Sequence, residues 1–391
     1  MQDLPMYDAD DIVDQKNREK RKRRMIKLIA AVVLITVVSV LMITKDQWLP
    51  KLRGIGKQYK TIVNSGQLAE GNFPIEVSGG EDYQLRYTVR KIMVLSDMNL
   101  NIYDTDGNLL KKRQHAYINP VLRVANGRAL VYENGGNRFS MEDEDEVFYT
   151  KSFENNILFA RLSSDGYTAV VTTSENFSCE LTVYNKKGSV VYERKCTDMI
   201  SDVSFINKSA GCVVSYIKAE NGYLSTIVQE IDFTQSEEKS NSLPMETLGL
   251  EIFGSDEGAF VYGMNACGYV NKGGEISSFY RYDGECAAGA SMSGRSAVVI
   301  NDDDARKYKA VLFADNNDEP VIIELDSTAV DVSVFGGLAY ILCSDKLLAY
   351  EFDGTLRSTA EVTDAYTGFV RSDDHIFLKG YNRIDRIDYA T

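Results

Sequence analysis

The stretch DVSFINKSAGCVVSYI, residues 202–217, reads as strand, tight turn, strand, and its opening returns 129 residues later as Asp331-Val332-Ser333-Val334. A Gly-containing turn and an apolar strand follow each copy. The spacing leaves room for three units of about 43 residues, which is the scale of a repeat architecture. The apolar second strand recurs around Ile92, Leu130, Ala169, Cys212, Phe260, Val298, Tyr340 and Ile376, at intervals of 38, 39, 43, 48, 38, 42 and 36. Those are eight occurrences of one unit.

A third strand ending in a tight turn can be followed through several copies. It appears as Asn101-Ile102-Tyr103-Asp104-Thr105-Asp106-Gly107, as Thr182-Val183-Tyr184-Asn185-Lys186-Lys187-Gly188 and as Leu348-Ala349-Tyr350-Glu351-Phe352-Asp353-Gly354. Each copy places Gly where a hairpin needs positive φ. Four short strands in about 40 residues define a β-propeller blade. The expectation is an all-β propeller of eight four-stranded blades, with seven as the alternative. The last unit offers only three strands, at 367–370, 376–379 and 384–387, so a fourth must come from elsewhere. Phe73-Pro74-Ile75-Glu76-Val77 is the candidate, since Pro74 is tolerated at a sheet edge and the pairing removes exposed edges.

Ahead of the repeats, Met25–Ile43 carries no charge except Lys27 and follows Arg21-Lys22-Arg23-Arg24. An apolar stretch of this length suffices for a transmembrane helix, and the dense Lys and Arg on its N-terminal side set that end in the cytoplasm. No small-x-small cleavage site follows Ile43, which favours an anchor over a cleaved signal; either one exports the β domain. The expected organisation is a cytoplasmic basic tail (1–24), one transmembrane helix (25–44), a linker (45–72) and an extracytoplasmic propeller (73–391).

Residues 1–60 hold 13 Lys and Arg against 7 Asp and Glu, a balance of +6, and the chain as a whole is −14, so residues 61–391 are −20. Such a field disfavours nucleic acid and anionic headgroups, leaving neutral or basic partners.

The basic tail, the single anchor and units such as LTVYNKKGSVVYE (181–193) and DVSFINKSAGCVVSYI (202–217) resemble an uncharacterised family of membrane-anchored propellers from Gram-positive clostridial-type bacteria, a domain of unknown function. The resemblance spans essentially the whole chain. It implies an envelope location and a propeller similar in appearance to quinoprotein-like and WD-type repeats, and it implies no activity. The sequence marks of those two groups are missing: there is no Trp after Trp48 and no Gly-His or Trp-Asp pair.

Catalytic side chains are sparse. The chain has two histidines, His115 and His375, and lacks the Gly-x-Ser-x-Gly elbow as well as Cys-x-x-Cys spacing. Asp104-Thr105-Asp106-Gly107-Asn108 resembles the start of a calcium loop, but His115 stands where the bidentate Glu belongs. Glu142–Glu146 and Asp302–Asp304 read as solvated loops. No catalytic residue, metal ligand or cofactor is assigned. Two blade-repeat carboxylates, Asp202 and Asp331, are the candidates for an axial site. Cys179 and Cys196 end the two arms of one hairpin and are the candidate disulfide; Cys212 and Cys343 read as small core residues.

The function expected from these features is non-enzymatic recognition of an envelope protein or polymer by a propeller face at the cell membrane. The alternative is an enzyme or ligand sensor with carboxylates in the axial channel, such as a glycan-processing activity. The two readings separate on whether Asp202 and Asp331 converge on one pocket or enter separate blade interfaces.

Overall fold

The structure, a computed structural model, describes residues 62–65 (backbone only), 71–78, 82–220, 222–234, 241–314, 319–362, 365–372 and 374–388. The expected span at 25–44 lies outside these. Among the described residues no helix is long and apolar enough to cross a membrane.

Eight antiparallel sheets follow one another along the described chain as blades 1 to 8, at 84–114, 120–152, 157–196, 199–232, 249–281, 285–325, 329–361 and 368–388. All eight positions read from the sequence as second strands fall in second strands. In these strands the side chains are buried on both faces, as in Thr168–Thr172 and Leu338–Cys343. A strand flanked by neighbours and packed between two other blades has no solvated side, so it reads as a continuous apolar run. Outer strands alternate instead: Leu109–Gln114 and Val190–Cys196 show every second residue to water.

The core is divided by blade interface. Leu100, Ile102 and Leu122 join blades 1 and 2, Val171, Leu181 and Cys212 join blades 3 and 4, and Val299, Leu312 and Ile341 join blades 6 and 7. Eight apolar clusters serve eight interfaces among the described residues. The cluster that decides closure packs Ile75, Phe377 and Ile384 against Leu85, Ile92 and Val94, which joins blade 8 to blade 1. The ring therefore closes at eight.

Closure follows the expected route. Ile75–Glu76 pairs antiparallel with Arg383–Asp388 as the fourth strand of blade 8, in register Ile75↔Ile384, and Val77 N donates to Asn382 O at 2.8 Å. The Asp104–Asn108 turn supports this join. Gly107 sits at φ +82° with room for a Cβ only 2.9 Å from Asn72 O, and Arg386 donates to Thr105 O at 2.7 Å. A side chain at position 107 would collide with the closing segment, which is the packing reason for glycine there.

Two departures from the expected pattern are local. Blade 4 has a three-stranded sheet, and its outer place is taken by the irregular segment around Ser242–Met245, held by Met245 N to Thr226 O at 2.9 Å and Ser242 N to Val228 O at 2.8 Å. Pro244 lies between those contacts and has no N–H to continue a ladder. Ile62–Ser65, inside the stretch expected to be a linker, runs parallel to Leu356–Glu361 and makes blade 7 five-stranded.

Candidate functional site

The innermost strand of each blade alternates its side chains between the preceding and the following blade. Asp202 faces forward. Its side chain is 1% exposed, and its Oδ1 lies 2.6 Å from Nε of Arg161 in blade 3. Its Oδ2 accepts the N–H of Ile252 in blade 5 at 2.9 Å. Arg161 extends further and places Nη2 3.3 Å from Oε1 of Glu251, itself bonded by the Tyr262 hydroxyl at 3.0 Å. One guanidinium thus connects three successive blades at the inner rim. Burial opposes the charge on Arg161, but Asp202, by charge and hydrogen bond, and Glu251 hold its pKa above the ordinary arginine value.

Asp331 does the same work elsewhere. Its Oδ2 accepts Phe369 N of blade 8 at 3.1 Å and its Oδ1 accepts Val332 N at 2.8 Å. Gln84 of blade 1 accepts Leu122 N of blade 2 at 3.0 Å, and Asn301 of blade 6 accepts Ala329 N of blade 7 at 3.1 Å. Asp202 and Asp331 therefore clasp separate interfaces, blades 4–5 and 7–8, and do not meet in one pocket. Each satisfies a backbone donor that would otherwise be buried unpaired where two blades meet.

Burial pushes the Asp331 carboxyl up to about 6, with the Phe369 and Val332 N–H groups pulling the other way. Its native pKa exceeds the ordinary aspartate value of 3.8, so the folded state holds the proton more tightly than the unfolded chain. Asp331 then contributes most at low pH and loses that contribution as pH rises from about 4 to 6. Asp331→Asn keeps an acceptor for Phe369 and removes the titration. The wild-type minus variant stability is expected to fall by about 1–2 kcal/mol between pH 4 and 7, read by urea unfolding at each pH.

Sequence reading missed the arginines. Arg86, Arg123 and Arg161 lie on the forward side of the inner strands of blades 1 to 3, at spacings of 37 and 38, each within one residue of the corresponding second-strand interval. That recurrence was a usable signal. Beside blade 4, a groove of about 530 Å³ opens between Arg161, Asp165, Ser204, Lys208, Glu251 and Asp256.

The remaining candidates have structural partners. His115 Nε2 lies 3.0 Å from Ser96 O, and His375 Nδ1 lies 2.9 Å from Asp388 Oδ1. Asp104 Oδ1 accepts the N–H groups of Asp106 and Asn108 within its own turn at 2.9 and 2.8 Å. Glu142 is buried against Arg113 and Ser140, Asp143 Oδ1 accepts two N–H groups of its turn, and Asp302 caps Ala305 N at 2.9 Å. Among the described residues no group of three or more His, Cys, Asp or Glu is arranged to hold a metal ion. Cys179 and Cys196 are direct partners across their hairpin and are both buried thiols. The hydrogen bond from Cys196 brings the Cys179 thiol down to about 7, and the same contact together with burial pushes Cys196 up. Cys212 and Cys343 lie in the core, as expected.

The fold and the ring of clasps define an eight-bladed β-propeller. Within it, residues 70–246 match the family of unknown function DUF5711. Solved structures share the fold at very low identity: BamB from Moraxella catarrhalis (TM-score 0.55, 9% identity, covering 82% of this chain and 99% of that one), the computationally designed Ika8 protein (0.63, 10%, 80% and 98%) and Sqt1 from Saccharomyces cerevisiae (0.63, 8%, 83% and 99%). A comparison with curated protein sequences finds no match.

Proposed function

We propose that the chain is a single-pass membrane protein whose propeller stands outside the cytoplasm and binds a protein of the cell envelope without catalysing a reaction. The observation that carries this reading is an uneven surface. In an up-and-down blade the turns between second and third strands share one end with the crossovers to the next blade. Met98, Ile118, Phe177, Tyr223, Met264 and Tyr381 come from that end and are 39–80% exposed. The opposite end carries polar, self-capped turns such as Asp104–Asn108 and Asn185–Ser189, and its exposed apolar side chains, such as Val89, Leu109 and Met292, include no aromatic ring among the described residues. Exposed Tyr, Met and Phe on a rigid scaffold are the anchors of protein interfaces. With −20 on residues 61–391, the partner suited to this end has an apolar centre and a basic rim.

A photo-crosslinking residue placed at Tyr223 or Met264 of the full-length protein in its native envelope should trap one basic partner. The same residue at Lys186 on the other end should not, and Phe177→Ser with Tyr381→Ser should abolish the adduct. Equal capture at Lys186, or capture indifferent to the serine changes, contradicts the proposal.

The location has its own test. In an oxidising compartment the Cys179–Cys196 pair, opposite in register, closes to a disulfide that constrains the unfolded chain by about 3 kcal/mol. Peptide mapping of envelope material without reductant should recover that one bridge, with Cys212, Cys267 and Cys343 alkylated only after unfolding. Recovery of all six cysteines as thiols would count against export.

A further inference from the structure

Arg86 and Arg123 differ from the third arginine of their series. Arg161 is matched by two carboxylates, whereas among the described residues neither Arg86 nor Arg123 lies within ion-pair distance of one. Adjacent inner strands are pinned by Gln84 to Leu122 N at 3.0 Å and by Thr88 to Gly127 N at 2.9 Å, and Arg86 sits between those two pins. Arg86 donates to the carbonyl of its own neighbour Leu85 at 2.8 Å. Nε of Arg123 is fully enclosed and has no acceptor. Arg86 lies on the innermost strand of blade 1, and the charges that act on it come from blades 2, 3, 5 and 7, namely Arg123, Arg161, Glu251 and Asp331. Burial first, and then the charge of a neighbouring arginine, lowers the pKa of both.

A guanidinium partly withdrawn from water beside a like charge is costly unless an anion is supplied. We propose that Arg86 and Arg123 form an axial binding site for a small oxyanion, a carboxylate or phosphate group held by the planar forks of two adjacent blades. Guanidinium geometry suits such groups by paired N–H donation, where an ammonium offers only a point charge. Glu251 and Asp331 act by charge on Arg86, and Glu251 and Asp202 on Arg123, so the site admits only a small anion. This site is independent of the apolar end and stands whether or not that end binds a protein.

The test titrates the full-length protein with inorganic phosphate and, separately, with acetate, reading heat by calorimetry. At least one probe should saturate, and the better one identifies the anion class. Arg123→Gln should weaken binding at least tenfold, and Arg86→Lys, which keeps the charge and loses the fork, should weaken it severalfold. Lys186→Gln, on an exposed turn, should leave it unchanged. Circular dichroism melts identify any variant that fails to fold, and the remaining variant then decides. Absence of saturation by both probes, or equal affinity in a folded arginine variant, overturns the proposal.

Discussion

Ile75→Asp lowers the stability of the propeller by about 3–5 kcal/mol, combining a lost core side chain with a carboxylate forced into an apolar site. Ile75 is 5% exposed and sits opposite Ile384 in the strand by which the beginning of the domain completes blade 8. It packs with Phe377 and Ile92, so it belongs at once to the last blade and to the first. The effect exceeds that of an ordinary core change because Ile75–Glu76 supplies the fourth strand of blade 8 and packs it on blade 1. Without it blade 8 is left with three strands and a bare edge. Urea unfolding should show a lower midpoint, and limited proteolysis should cut first within 368–388. An unchanged midpoint would mean that closure does not depend on this strand.

Asp202→Ala costs about 2–4 kcal/mol, because it leaves the Arg161 guanidinium with the more exposed Glu251 in place of two carboxylates and the Ile252 N–H unpaired. Asp331→Ala removes hydrogen bonds to two backbone donors but no ion pair, and should cost about 1–3 kcal/mol. Adding Arg161→Met to Asp202→Ala should recover part of the loss, since the charge that lost its buried partner goes with it. Chemical denaturation of wild type, Asp202→Ala, Arg161→Met and the double variant measures the cycle. A catalytic Asp202 would show the reverse profile, with stability nearly unchanged on substitution.

The repeat was legible because the second strand of every blade is buried on both faces and must be apolar, which stamps a period on the sequence. The closing strand was legible for a complementary reason: a blade short of one strand demands it, and Phe73–Val77 is the segment preceding the first unit with the right pattern. Blade 4 was not legible as an exception, since Pro244 acts through the outermost place, where pattern is weakest. The strand at 62–65 was missed because a parallel edge addition needs no alternation of its own.

Asp202 and Asp331 were found by their recurrence, yet recurrence cannot say whether a carboxylate faces a ligand or a neighbouring strand. Here the backbone donors of Ile252 and Phe369 decide it. The arginines carried the same periodic signal in blades 1 to 3. They escaped notice because a lone Arg in a strand usually snorkels to solvent, and only the ring brings them to a common axis.

The repeated inner-strand carboxylates hold neighbouring blades together. Native-state hydrogen exchange of individual amides tests it most directly, comparing wild type with Asp202→Asn and Asp331→Asn. The account predicts faster exchange at Ile252 in the first variant and at Phe369 in the second, each confined to its own interface. Unchanged protection at both amides, in variants that remain folded, would contradict it.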